Sequence, residues 1–148
     1  VTGCSNNCPG CFNKELQNFN YGTLWTKERE DEFISYVQNP QIVGVSILGG
    51  DPMEQTMDDS LVSLLNRIRV ETEKDIWLWS GYTFDEIINN EKMREILGYI
   101  DVLIDGRFIM AERNIKLKYR GSKNQRVIDV KKSLAENKVV EIEIEEDV

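Results

Sequence analysis

Histidine is absent from this sequence, and cysteine is confined to Cys4, Cys8 and Cys11. The two facts bear on each other: a structural zinc site normally takes four cysteine or histidine ligands, so an Asp or Glu would have to complete one here. No apolar run approaches the ~20 residues that span a bilayer, and no charged segment leads into an apolar one as in a signal peptide. No block of like charge is long enough to act as a basic arm. A net charge of -8 with a pI near 4.7 repels a phosphate backbone, which removes nucleic acid from the expected partners. Linkers, repeats and low-complexity stretches are lacking too. These absences predict a soluble, cytoplasmic chain with no membrane and no nucleic-acid partner, organised as one domain over residues 1–148. Its 41% hydrophobic residues suffice for one core. The first residue is Val1, and Val1-Thr2-Gly3 reads as the end of a strand whose beginning is cut off.

The apolar run over 42–48 is near-continuous, and 76–79 and 102–104 are shorter ones; runs that do not alternate suit parallel strands covered on both faces. Helical spacing separates them. Leu61, Leu64, Leu65 and Ile68 follow Asp58 and Asp59, which suit a first turn. Thr83-Phe84-Asp85-Glu86 has capping-box spacing and leads into Ile87, Ile88, Ile96 and Leu97, with a break near Asn89-Asn90 and a stop at Gly98. A further helix is predicted over 26–38, ending before Asn39-Pro40. The order strand, helix, strand, helix, strand predicts an α/β domain with a mainly parallel sheet. The stretch 139–148, in which Val140, Ile142 and Ile144 alternate with glutamates, reads as an edge strand or an acidic tail.

Ligands of such a sheet bind beyond the carboxyl ends of its strands. Three loops fall there: the cysteine loop after Gly3, Gly49-Gly50-Asp51-Pro52, and Ser80-Gly81-Tyr82. The spacing C-x3-C-x2-C on a Gly/Pro/Asn-rich loop points to metal. A disulfide would strand one thiol and is rare in the cytosol, and core cysteines have no reason to cluster within eight residues. A 4Fe-4S cubane explains the missing fourth ligand, because three thiolates leave one iron open to an external molecule.

C-x3-C-x2-C together with Gly49-Gly50-Asp51 resembles the radical S-adenosylmethionine superfamily. VTGC, CPGCFN, LGGDP, DIWLWSGY, DVLIDG and RGSKNQR, spread over 1–126, together resemble its glycyl-radical-activating members that serve anaerobic ribonucleoside-triphosphate reductase. The resemblance implies an incomplete (β/α) barrel. It implies a 4Fe-4S cluster on Cys4, Cys8 and Cys11, with S-adenosylmethionine chelating the open iron. Reductive cleavage would give a 5′-deoxyadenosyl radical that removes hydrogen from a glycine of the large reductase subunit, with the electron coming from an external donor of flavodoxin-like or other type. No imidazole base is needed. Cofactor contacts are expected from Gly10, Cys11, Phe12, Gly49, Gly50, Asp51, Ser80 and Tyr82.

Each of these has a second reading. Gly49 and Gly50 suit a tight turn as well as close backbone approach to a ligand, and Asp51 before Pro52 suits an N-cap as well as a ligand contact. Phe12 follows the third cysteine, whereas many radical enzymes place the aromatic before it, where Gly10 stands. Trp77 and Trp79 read as core. Asp105-Gly106 is either a turn or a rim contact. The basic stretch 116–126 is a solvated loop, a docking surface for the reductase or a contact to the substrate carboxylate. Two other functions compete: a different radical enzyme, such as a formate-lyase-type activase, and a non-catalytic zinc or iron-sulfur binding module.

Overall fold

A computed structural model describes residues 1–145. Helices form where local caps start them. Thr26 accepts the Arg29 N–H at the head of α1 (Lys27–Val37). Thr83 and Glu86 form the reciprocal capping box of α3 (Phe84–Ile88), and Asn90 caps α4 (Glu91–Leu97), so the chain breaks at Asn89-Asn90 as its polar dipeptide predicts. At α2 (Ser60–Glu71) the acceptor is Asp58, whose carboxylate takes the Ser60 N–H at 2.9 Å; Asp59 makes no side-chain cap. The last helix, α5 (Val130–Glu136), begins on Asp129 and ends at Asn137 with a left-handed φ of 53°.

The strands β1 (Gly44–Ile47), β2 (Asp75–Trp79), β3 (Val102–Asp105) and β4 (Arg126–Asp129) lie side by side in that order. The first three are parallel, with Gly44 opposite Asp75 and Trp77 opposite Val102; β4 runs antiparallel to β3, with Ile104 opposite Val127. The result is an open, mixed four-stranded α/β sheet. β4 follows the basic stretch directly, and the antiparallel turn it makes was not among the predicted elements.

Alternation assigns the two faces. Val45, Ile47, Ile76, Leu78, Leu103 and Ile128 join the buried faces of all five α-helices in one core. The opposite face carries Val102, Ile104 and Val127 with half-buried Trp77 and Trp79, covered by Ile142 and Ile144. Burying an aliphatic side chain contributes roughly 1.5–3 kcal/mol, so most of the stability lies on the helical face. The second face thins toward β1, where Ser46 is exposed. This corrects the picture of strands covered on both faces: β1 is the uncovered edge, and its flanks Ile42, Val43 and Leu48 are exposed, Val43 at 90%.

Stretch 139–145 lies beside β4 through Ile142 N–H to Val127 O at 2.8 Å and Asp129 N–H to Val140 O at 2.9 Å, a single bridge rather than a full strand. The remainder of that predicted tail, 146–148, is outside the described residues. Residues 1–3 form no strand either. They run alongside the exit of β1, the Val1 ammonium donating to Leu48 O and the Gly50 N–H to Val1 O, both at 2.9 Å.

Candidate functional site

The cysteine loop closes on itself before it carries any chemistry. Gly3 N–H donates to Leu16 O at 2.7 Å and Cys4 N–H to Gln17 O at 3.1 Å, the partners lying on a short 3-10 turn at Lys14–Gln17. Inside this closure Cys8-Pro9-Gly10-Cys11 makes a second turn. Pro9 and a Gly10 φ of +77° are the residues and sign of a type II turn, closed by Cys11 N–H to Cys8 O at 3.1 Å. All three thiols are free and partly exposed.

Gly50 is where the loop's two ends press on the sheet. A Cβ there would lie 2.6 Å from the carbonyl oxygens of both Gly3 and Leu16, and at Gly49, with φ +126°, it would strike the Val1 carbonyl. Both glycines therefore serve close approach of the chain's own backbone.

Asp51 ties the three predicted loops together. Its side chain is 1% exposed. One oxygen accepts from Met53 N–H at 3.0 Å and Ser80 Oγ–H at 2.8 Å; the other accepts from Asn6 Nδ2 at 2.8 Å and Gly81 N–H at 2.9 Å. It is thus the N-cap of the 3-10 turn Pro52–Glu54, and the chain's own donors occupy both oxygens. Burial raises its pKa against the opposing hydrogen bonds of Ser80, Gly81 and Met53. Burial likewise raises the Cys4 thiol, with Asn6 opposing and the Asp51 charge adding to the rise.

Sequence reasoning missed Glu54. It accepts the Ser5 N–H at 2.9 Å, the Ser5 hydroxyl, and the Tyr82 hydroxyl at 2.7 Å, pinning the loop a second time. Burial and then Glu54 raise the Tyr82 pKa to about 12.

A cavity of about 620 Å³ opens between the cysteine loop and the ends of β2 and β3. Asn6, Cys8, Asp105, Arg107, Phe108 and Arg126 are among its walls. Its volume falls in the range of small-molecule sites. Of the residues predicted to touch a cofactor or metal, Cys8 lines it. Asp51 and Ser80 lie behind Gly81, and Tyr82 supports Arg107, whose guanidinium stands 5.8 Å from its ring. Gly10 and exposed Phe12 form the loop's tip, against Met110 and against Phe108 at 5.5 Å between ring centroids. Asp105, read earlier as either turn or rim, is 1% exposed and does both: it accepts the Phe84 N–H at 2.8 Å and pairs bidentately with Arg126 at 3.0 and 2.6 Å. Arg107, Asn124 and Arg126 belong to the 106–126 segment, which therefore borders the cavity as well as solvent. Trp77 and Trp79 are half-buried under the same segment, Trp79 donating to Tyr119 O at 2.6 Å.

Three thiols on one short loop are a donor set that suits an iron-sulfur cluster with one open iron. Among the described residues no three cysteine, aspartate or glutamate side chains converge to hold one metal ion. A single zinc needs its ligands within about 2.3 Å of one centre, whereas a cubane spreads three thiolates over three irons. The loop is pinned at its ends and at Ser5, while Cys4, Cys8 and Cys11 stay accessible, and Asn6 Nδ2 lies 3.4 Å from Cys4 Sγ.

The chain matches the family model of a 4Fe-4S single cluster domain over residues 1–128. It is 39% identical over 128 residues to the anaerobic ribonucleoside-triphosphate reductase-activating protein of Vibrio cholerae, covering 84% of this chain and 81% of that one. The protein of the same name from Escherichia coli K12 is also 39% identical, over 84% and 82% of the two chains. That of Enterobacteria phage T4 is 38% identical, over 86% and 79%. No solved structure matches the chain. On these matches the chain belongs to the family of anaerobic ribonucleoside-triphosphate reductase-activating proteins.

Proposed function

We propose that this chain activates the large subunit of an anaerobic ribonucleoside-triphosphate reductase by forming a glycyl radical on it. In this reading Cys4, Cys8 and Cys11 hold a 4Fe-4S cluster and S-adenosylmethionine occupies the cavity beside Cys8. Bound there, such a cluster would supply the electron for reductive cleavage of S-adenosylmethionine. The observation that carries the reading is the adjacency of Cys8 and the 620 Å³ cavity, both built on loops that Asp51 binds together.

The chain's own residues bind, orient and shield. Gly49, Gly50 and Asp51 set the height of the cysteine loop over the strand ends, and Ser80 and Gly81 fix Asp51. Arg126 neutralises the buried Asp105 carboxylate, so the cavity wall is not left with an uncompensated charge. Phe108 and Pro9 supply apolar wall to the cavity. Gly10, Cys11 and Phe12, at the tip, lie where a partner polypeptide would meet the site. The reading treats the chain as one radical S-adenosylmethionine domain of incomplete-barrel type, and the reducing cytoplasm suits three free thiols. An external reductant such as a flavodoxin-like protein would supply the electron. Among the described residues no helix is long and apolar enough to cross a membrane.

The test is anaerobic reconstitution with iron and sulfide, followed by S-adenosylmethionine, dithionite and the reductase subunit. The expected results are iron and sulfide in equal amounts, release of methionine and 5′-deoxyadenosine, and a glycyl-radical signal in electron paramagnetic resonance. A colourless protein that takes up only zinc refutes the reading. A radical formed only on a formate-lyase-type enzyme refutes the choice of partner.

A further inference from the structure

The Asn6 side chain touches a cysteine sulfur, the buried Asp51 carboxylate and the cavity's Arg107 together. Its Nδ2 donates to Asp51 Oδ2 at 2.8 Å and lies 3.4 Å from Cys4 Sγ, and its Oδ1 accepts from Arg107 Nε at 3.0 Å. The two flanking groups fix which end of the amide is which. A carboxylate whose oxygens already accept from Ser80, Gly81 and Met53 takes a donor, and a guanidinium can only give one. The NH2 end is therefore the end held against sulfur. Room for it comes from Gly81, where a Cβ would sit 2.5 Å from Asn6 Nδ2.

We propose that Asn6 is a positioning residue that holds an N–H against the Cys4 sulfur and thereby raises the reduction potential of the iron-sulfur centre bound there. The proposal rests on the reading that the three cysteines carry a cluster. Reduction adds one electron to the centre, here from dithionite, and breaks no bond. A donor aimed at a ligand sulfur stabilises that added negative charge. Asp51, behind the same amide, acts in the opposite sense through its charge. The Asn6 NH2 stands between the two, so its removal takes away the stabilising donor and unscreens the carboxylate, and both changes lower the potential.

The experiment uses anaerobically reconstituted wild type, Asn6→Ala and Asn6→Ser, with iron and sulfide analysis, visible absorption, and a redox titration followed by electron paramagnetic resonance. Asn6→Ala is expected to keep its iron content and absorption and to titrate at a more negative potential than wild type. Asn6→Ser, with a shorter donor, is expected between them. A merely structural role would lower iron content or thermal stability without moving the potential of the centres that form. Unchanged potential in Asn6→Ala at full iron content overturns the proposal, and so does loss of the cluster in both variants, which would make Asn6 a structural strut. Failure of wild type to assemble an iron-sulfur centre overturns the cluster reading itself.

Discussion

At the scale of the residue, three thiols and two glycines decide whether the site exists. Each cysteine is expected to support a separate iron, so Cys4→Ala, Cys8→Ala and Cys11→Ala should each lose the cluster and all cleavage of S-adenosylmethionine. Full iron content in any one of them, by colorimetric analysis, would contradict the three-ligand assignment. Gly50→Ala tests the loop's seat. The added methyl meets two carbonyl oxygens at 2.6 Å, both backbone and therefore unable to rotate away. Overpacking of this kind costs about 1–3 kcal/mol, measurable by urea unfolding. Gly98→Ala is the matched control: its Cβ would make only ordinary contact, 3.4 Å from Glu95 O, and its φ of -60° suits alanine, so the change should be neutral or stabilising by about 0.4–1 kcal/mol. The sequence alone marks the cysteines and GGDP because their spacing is local. It does not mark Asn6, Glu54 or Arg107. Arg107 reaches Asn6 across 101 positions of chain, and no pattern within one segment encodes such a pairing.

At the scale of the element, Asp101 joins pieces that local rules keep apart. It lies just before β3, accepts the Ile76 N–H of β2 at 2.8 Å, and pairs with Arg69 of α2 at 2.7 Å and Lys131 of α5 at 3.2 Å. Burial alone would raise its pKa, but the hydrogen bonds from Arg69, Ile76 and Lys131 outweigh it and hold the carboxyl below its ordinary value. A depressed carboxyl stabilises the fold above the unfolded value near ~3.9 and loses that contribution as pH falls through the folded value. Asp101→Asn should therefore cost about 1–3 kcal/mol at neutral pH. Its melting temperature should approach that of wild type as the solution is acidified below about pH 4. Parallel melting curves over the whole pH range would show that the charge is not what matters. Helix positions were legible because Thr26, Thr83 and Asn90 announce their own starts. β4 was not, because its four residues follow a basic stretch and take their direction from pairing with β3. The apolar run over 42–48 misled for a related reason: hydrophobicity reports what a strand could bury, and β1 lies at an edge where nothing described covers its second face.

At the scale of the whole molecule, charge is unevenly spread. Arg107, Arg113, Lys116, Lys118, Arg120, Lys123 and Arg126 stand against a single Glu112 in 107–126, in a chain of net charge -8. Arg107 and Arg126 of this segment line the cavity, and its excess of positive charge suits an acidic partner surface. Lys118 and Arg120 are half-buried and engaged in interactions of their own, so exposed Lys116 and Lys123 are the informative pair. Lys116→Glu with Lys123→Glu should slow glycyl-radical formation several-fold, most at low ionic strength, since steering is screened by salt. Cleavage of S-adenosylmethionine by dithionite-reduced protein without the reductase should be unchanged. Equal loss of both activities would instead assign these lysines to the cofactor. The packing of Tyr119 on Trp77, 4.9 Å between ring centroids, with Trp79 bonded to the Tyr119 carbonyl, gives the molecule a built-in optical gauge. The remaining tryptophan, Trp25, packs on Phe33 of α1. Indole emission depends on exposure to solvent, so any event that lifts or clamps the 106–126 segment changes the colour and intensity of two of the three emitters. An acidic polypeptide docking on this segment is therefore expected to shift the emission of Trp77 and Trp79 in unlabelled protein.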